Sequence, residues 1–451
     1  MSEDAFEATV ETVRERVDPS PEERRRLAAV ADELVARTEA AVSEYAPEAD
    51  VVQVGSTARG TWTAGDRDID VFVRFPTDLD RETLEEYGLE VGRAVLPDGH
   101  EEYAEHPYVK GEYEGFDVDL VPCFRVPTAT EIRSAVDRTP FHNAYLVEHL
   151  DDELAGDVRV AKGFLKAVGI YGSDLRTEGF SGYLTELLVL EYGGFRPFVE
   201  AAADWHPPVR LDPVDHGERE FDDALVVVDP TDPERNVAAV VSTTNVARLQ
   251  HHARALLSDP DPSRFEPRTV DPLSPAQVRK HLDDRGTTPV AVRFDPPDVV
   301  EDQLWPQLRR SLDGVTAALD RRGFDPLRSM ALADETAALF VECEVARRPA
   351  VAHHDGPPVH VREHATGFYE KYADTDAYGP FVEGDRYVVE RERDLRRPAD
   401  VLAPEALFDV ALGANVETEL EEGYEVLVGE EVTALATEFG REFARYFSPS
   451  P

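Results

Sequence analysis

Apolar positions recur in two rhythms along this chain. Over residues 21 to 45, "PEERRRLAAVADELVARTEAAVSEY", they return every three or four residues, the period of one helix face, with Pro21 near the start. "ADVVQVG" then reads as a short strand. From Asp68 to Phe75, "DIDVFVRF", apolar and polar residues alternate, which predicts a second strand, and "RETLEEYGLEVGRAVL" returns to helical spacing. "YVKGEYEGFDVDLVPCFRV" reads as a two-stranded hairpin turning at Glu114-Gly115. Together these predict a mixed α/β domain over residues 1–138.

Residues 139–262 read mainly as helices: "PFHNAYLVEHLDDELAGDVRVAKGFLKAVGIYG", "SGYLTELLVLEYGGF" and "RNVAAVVSTTNVARLQHHARALL". A Pro- and Asp-rich break, "SDPDPSRFEPRTVDPLSP", separates them from a C-terminal part, 263–451. There "PVAVRFD", a helix near 301–321, "RSMALAD" and "AALFVECEV" predict a β-α-β-β module, and "YGPFVEGDRYVVERERDLRR" and a last helix in "EEVTALATEFGREFARYF" close the chain. No internal repeat is visible.

Composition changes the picture at one point. The 451 residues carry 92 acids against 47 bases, a net charge of -45. Only five bases are lysine: Lys110, Lys162, Lys166, Lys280 and Lys371. Such a charge ordinarily excludes nucleic acid, because phosphate contacts need a basic surface. It also suggests disorder, but 42% hydrophobic residues in regular periods argue for a folded chain. An acidic, lysine-poor surface fits a halophile's cytoplasm, where molar salt shortens the Debye length to about 3 Å and screens self-repulsion. The charge then no longer counts against an RNA partner. No window reads as a signal peptide or a membrane span, so a cytoplasmic protein is expected. Cys123 and Cys343 lie in apolar contexts and read as buried thiols; the pairs His251-His252 and His353-His354 point apart and read as surface.

The candidate chemistry sits in the first domain. Alternation aims Asp68 and Asp70 one way and Ile69, Val71 and Val73 the other; Asp117 and Asp119 share a face of the later strand. Carboxylates converging from neighbouring strands repel unless a cation compensates them, and hard oxygen ligands suit Mg²⁺. The Asp-x-Asp pattern alone is equally satisfied by the exposed faces of acidic strands. Upstream, Gly55-Ser56 follows a strand and precedes a predicted turn of helix, where backbone N–H groups and a hydroxyl can hold phosphate oxygens. Arg59, one turn on, can add a guanidinium to the same anion. An anion cradle beside a carboxylate strand is the layout that nucleotidyl transfer needs.

"GSTARGTW", "DIDVF" and "DVDLVPCF" resemble the nucleotidyltransferase superfamily that includes DNA polymerase β, and among them the archaeal class I CCA-adding enzymes. "RTPFHNAYL", "AKGFLKAVGIYGSD", "GFSGYLTELL" and "DPTDPERNVAAVVS" extend the likeness to about residue 250; the C-terminal half matches mainly in length and element order. The resemblance implies an α+β multidomain fold: a mixed-sheet, polymerase β-like head, a helical neck, and a C-terminal α/β body and tail that hold tRNA. It implies catalytic metal ligands at Asp68, Asp70 and Asp119, Asp68 standing where the family often has Glu, and it leaves Asp117 out. It further implies contacts to the incoming CTP or ATP from Gly55, Ser56, Arg59, His142, Lys162 and Tyr171, and from Arg235 to the base edge. Implied partners are the acceptor stem and T arm of tRNA, and a second copy in a homodimer. The carboxylates alone leave two rivals: a poly(A) polymerase or oligoadenylate synthetase, and a nucleotide- or RNA-binding protein without catalysis.

Overall fold

A computed structural model describes every residue except Met1, Ser2 and Ala104. The chain forms two compact units, one reaching to Arg268 and the other spanning Thr269–Ser450.

In the first unit, α1 (Glu3–Val17), α2 (Pro21–Val42), β1 (Asp50–Val54), α3 (Gly55–Ala58), β2 (Asp68–Phe75), α4 (Arg81–Val95), β3 (His100–Tyr103), β4 (Pro107–Tyr113) and β5 (Phe116–Phe124) follow in order. Ser20 and Glu23 form a reciprocal capping box at the start of α2, with Pro21 in its first turn, so the helix begins where the sequence predicts. The strands form one sheet in the order β1-β2-β5-β4-β3. β2 and β5 are parallel; the other neighbours are antiparallel. The hairpin between β4 and β5 turns at Glu114 and Gly115, with φ of 51° and 82°. β3 extends this hairpin at the sheet edge and was not expected.

Ile69, Val71, Val73 and Phe75 of β2 are buried against Leu34 of α2, Leu84 and Val91 of α4, and Val118 and Leu120 of β5. Each such side chain contributes about 1.5–3 kcal/mol on burial. A one-residue slip would exchange the four for Asp68, Asp70, Phe72 and Arg74, so the core fixes the phase of β2. The carboxylates of Asp68 and Asp70 face away from that core as a consequence.

The same unit continues with α5 (Thr139–His149), α6 (Asp152–Ala167), α7 (Gly182–Tyr192), α8 (Phe195–Ala203), β6 (Val209–Leu211), β7 (Leu225–Asp229), β8 (Asp232–Asn236) and α9 (Thr243–Ser258). Phe164, Phe180, Leu187, Phe195, Phe198 and Val227 build its second core, to which α1 lends Phe6, Val10 and Val13. The helical reading of "RNVAAVVSTTNVARLQHHARALL" holds only from Thr243 on. Residues 232–236 instead pair with β7, the Asn236 side chain bonds the backbone of Leu225 and Val227, and Ser242 caps α9. Arg235 is therefore a strand residue.

The second unit holds α10 (Pro275–Arg285), β9 (Thr288–Phe294), α11 (Glu301–Arg321), β10 (Pro326–Ala333), β11 (Ala337–Cys343), β12 (Val351–Pro358), α12 (Arg362–Tyr372), β13 (Tyr378–Glu383), β14 (Arg386–Glu392), α13 (Pro398–Val401), α14 (Pro404–Leu407), α15 (Ala414–Glu422), β15 (Glu425–Val428) and α16 (Ala436–Phe447). The expected β-α-β-β succession is present as β9-α11-β10-β11. It closes into a sheet ordered β10-β11-β9-β15, and a second sheet runs β12-β14-β13. All seven residues of β11 are buried, because α11 covers one face of its sheet and α10 and α16 the other. Both cysteines are buried and free. Among the described residues no helix is long and apolar enough to cross a membrane.

Candidate active site

Parallel pairing sets Asp68 opposite Asp117 and Asp70 opposite Asp119, so the two Asp-x-Asp segments lie side by side on one sheet face. Burial pushes the Asp70 carboxyl up to about 6, helped by the negative charges of Asp119 and Asp68. Asp68 is raised as well, by burial and then by Asp117. Asp119 meets Lys110, its cross-strand neighbour on β4, with Nζ 3.2 Å from Oδ1. As they stand, no three acidic, His or Cys side chains among the described residues converge tightly enough to enclose an ion. The donor set is nonetheless all oxygen, and burial first, then the neighbouring carboxylates, raise Asp68 and Asp70, so a cation among them would offset both penalties. These residues fit a divalent cation.

The segment before β2 folds onto this face. Gly55 takes φ +79°, and a Cβ there would stand 2.0 Å from Asp70 Oδ2. Only glycine lets the backbone of α3 pass so close to the carboxylate. Ser56 follows in the same turn, its carbonyl accepting from Thr61 N–H at 3.0 Å.

Arg59 points from this turn toward the helices. Its Nη2 donates to Glu186 Oε2 at 2.9 Å and its Nη1 to Asn143 Oδ1 at 2.9 Å, while its buried Nε has no partner among the described residues. Glu186, on α7, is fully buried. Its other oxygen accepts from the Thr61 hydroxyl and lies 3.5 Å from Lys162 Nζ. Lys162, on α6, also donates to the Thr61 carbonyl at 2.9 Å and reaches the Thr61 hydroxyl at 3.3 Å. Burial lowers the Lys162 pKa against the pull of Glu186. Burial alone would raise Glu186, but Lys162 and Arg59 outweigh it and hold the carboxyl below its usual range. A point beside Gly182 lies 3.1 Å from the Tyr171 hydroxyl and 3.9 Å from Lys162 Nζ, so Tyr171 borders the same cluster.

His142 and Arg235 meet at a different carboxylate. Both donate to Asp229 Oδ2 at 2.8 Å, one from Nε2 and the other from Nη1. Asp229 ends β7 and is fully buried, and its pKa stays well below the carboxylate range because these donors outweigh the cost of burial. Burial lowers the pKa of His142. Asn143, the next residue, bonds both Arg59 and the Gln53 carbonyl, which ties His142 to the turn around Gly55.

The ten candidate residues thus fall into three adjoining groups: carboxylates with Gly55 and Ser56, Arg59 with Lys162 and Tyr171, and His142 with Arg235. Sequence reasoning missed the two acids that organise the last two groups. Each had a signal: Glu186 is a lone acid in the apolar helix "YLTELLVL", and Asp229 ends the apolar run "ALVVVD".

A parallel pair of strands carrying paired acids, with a glycine turn against one of them, defines a nucleotidyltransferase domain, and the model of that domain family matches residues 35–142. The family described as tRNA nucleotidyltransferase, second domain, matches residues 156–266, and that described as CCA-adding enzyme, C-terminal domain, matches 285–429. The CCA-adding enzyme of Haloarcula marismortui is 61% identical over 99% of this chain and 100% of its own. That of Halorubrum lacusprofundi is 62% identical over the same shares, and that of Halobacterium salinarum 62% identical over 98% of each chain. A solved structure of the Cid1 poly(U) polymerase matches with a TM-score of 0.46 and 18% identity, over 59% of this chain and 100% of that one. The chain belongs to the family of CCA-adding enzymes.

Proposed function

We propose that the protein adds and repairs the 3′-terminal CCA of tRNA, using CTP and ATP, without a nucleic-acid template, and releases pyrophosphate. Full-length relatives above 60% identity that carry this activity in their names support the substrate class. The observation that carries the chemistry is the parallel register that sets Asp70 beside Asp119, with Gly55 against Asp70.

Asp68, Asp70 and Asp119 are the residues to hold divalent cations, with Mg²⁺ the ion that an all-carboxylate set suits best. Bound there, such ions supply charge neutralisation on the triphosphate and acidify the attacking 3′-hydroxyl. The Gly55-Ser56 turn, the Ser56 hydroxyl and Arg59 hold phosphate oxygens. Lys162 and Tyr171 border them, and His142 also contacts the nucleotide. Arg235 reads the base edge, because a guanidinium presents only donors. In this reading residues 1–138 are a catalytic head, 139–262 a nucleotide-binding neck, and 263–451 a body and tail. The last would hold the acceptor stem and T arm by duplex shape and backbone contacts. The net charge of -45 and the haloarchaeal relatives support work in a salt-rich cytoplasm. The family resemblance alone supports a homodimer.

The test is incorporation into a tRNA that ends before its CCA, in molar KCl with Mg²⁺, followed by product sequencing. CTP alone should extend the end by CC, ATP alone should leave it unextended, and both together should yield CCA. A homopolymer tail, a 2′-linked product or no incorporation would overturn the reading.

A further inference from the structure

Asp229 is gripped more completely than the end of a strand requires. Its Oδ2 accepts from His142 Nε2 and Arg235 Nη1, each at 2.8 Å. Its Oδ1 accepts from Thr231 N–H at 2.9 Å, the Thr231 hydroxyl at 2.8 Å and the Tyr183 hydroxyl at 3.3 Å. The His142 ring is stacked on Tyr183, with centroids 3.9 Å apart and an interplanar angle of 14°. His216 Nε2 lies 2.9 Å from the Asp229 carbonyl, which fixes the strand end as well. One carboxylate thus immobilises a ring and a guanidinium from two separate elements.

The grip has a consequence for what each group can still offer. With Nε2–H committed to Asp229, a neutral His142 keeps only Nδ1, an acceptor. Arg235 commits Nη1, and its Nε and Nη2 have no partner among the described residues. Arg235 is about one-third exposed, whereas Asp229 is not exposed at all. It lines a cleft of ≈ 970 Å³ with Arg138, Ile132, Phe221 and Val240, a volume that admits a nucleoside. A tethered guanidinium presents its remaining donors in one plane; an untethered one samples many rotamers and discriminates poorly.

We propose that Asp229 is a positioning residue for base selection. By holding Arg235 and His142 at one oxygen, it aims the remaining Arg235 donors at the ring-nitrogen acceptor that cytosine and adenine share. In uracil and guanine the corresponding ring nitrogen carries a hydrogen, so the same donors meet a donor. The proposal rests on Arg235 being the base reader, and its test separates the two ideas.

The readout is kcat/KM for CTP divided by kcat/KM for UTP, on a tRNA lacking its CCA, with the full chain in molar KCl. Asp229→Asn keeps the shape and removes the charge; it should lower the ratio roughly tenfold to hundredfold, the range of a hydrogen bond to a charged group. An equal loss with both nucleotides would overturn the proposal. Thr231→Val removes one donor from Asp229 without unpairing a buried charge, and it decides the matter if the first variant fails to fold. It should lower the ratio roughly two- to tenfold, as for an ordinary hydrogen bond, and an unchanged ratio would overturn the proposal. In an Arg235→Ala background, Asp229→Asn should lower the ratio no further; a further fall means that Asp229 does not act through Arg235. If Arg235→Ala itself leaves the ratio intact, the base reading fails. If Arg235→Ala abolishes discrimination while the other two variants retain it, only the role of Asp229 fails.

Discussion

Glu186→Gln tests the electrostatic frame around Arg59 and Lys162. The carboxylate is fully buried, and the two cations on it are nearly so, with side-chain exposures of 9% for Arg59 and 3% for Lys162. At an effective dielectric of about 20, each contact is worth roughly 5 kcal/mol before the cost of burying the charges is subtracted. Glutamine preserves the volume, but its one carbonyl oxygen cannot serve Arg59, Lys162 and Thr61, and its amide turns two N–H donors toward cations. Breaking a buried pair by removing one partner costs about 3–5 kcal/mol, and that is the expected loss in the first unit. Urea unfolding in molar KCl measures it, in a Trp305→Phe background so that fluorescence reports Trp62 and Trp205 in the first unit. Lys162→Met in combination with Glu186→Gln removes one stranded charge and should recover part of the loss. The pH dependence has a definite sign. Glu186 has a depressed pKa in the folded state, so its contribution is complete above the ordinary glutamate value of about 4.3 and is lost as pH falls through the lower folded value. The glutamine variant should lack that acid-side slope. A loss below about 1 kcal/mol, or an unchanged slope, would refute the argument, since exposed ion pairs already account for that much.

Gly55→Ala should cut incorporation at least about 100-fold, the usual effect of ångström-scale misplacement, because its Cβ would stand 2.0 Å from Asp70 Oδ2. Unfolding should register only the left-handed backbone strain, about 1–2 kcal/mol, and near-normal turnover would refute the close approach. Asp70→Ala should abolish incorporation while tRNA binding, followed by filter retention, stays near wild type. Asp117→Ala, exposed on the same sheet face, should change turnover by no more than about twofold; a complete loss would mean that the carboxylate face is assigned one residue pair too far. Dialysis from about 1 M to about 0.1 M KCl lengthens the Debye length from about 3 Å to about 10 Å. With a net charge of -45, circular dichroism should then show unfolding. An unchanged spectrum and unfolding midpoint would remove the salt-adapted reading.

What the sequence made legible follows the range of the forces involved. The phase of β2 was readable because burial of Ile69, Val71, Val73 and Phe75 leaves one side for the acids, and alternation is a local property. The β4–β5 hairpin was readable because Glu114-Gly115 fits a tight turn. β3 was not, since "HEEY" is a mostly exposed edge strand without an apolar period, defined only by its pairing to β4. Residues 235–242 misled for a related reason. Their apolar spacing suits a helix, but Asn236 bonds β7 through both backbone and side chain, and tertiary pairing overrode local preference.

The two organising acids were hidden for a stronger physical reason. Glu186 meets Arg59 across 127 positions of chain and Asp229 meets His142 across 87, so no short window shows either of these contacts; only Arg235, six positions from Asp229, shares a window with its acid. Their cations, by contrast, could be singled out. An arginine one turn after Gly55-Ser56 and a lysine in a lysine-poor chain stand out by themselves. A cation near a nucleotide site has to be available to phosphate, yet it must not collapse onto the carboxylates of the neighbouring strand. In this fold the conflict is resolved by giving each group of cations its own buried acid, Glu186 for Arg59 and Lys162, Asp229 for Arg235 and His142. Asp68 and Asp70 are left with raised pKa values and with charge still to be neutralised. That separation keeps Arg59, Lys162 and Arg235 from bonding the strand carboxylates, and exchanging either buried acid for a neutral residue would release its cations to turn toward them.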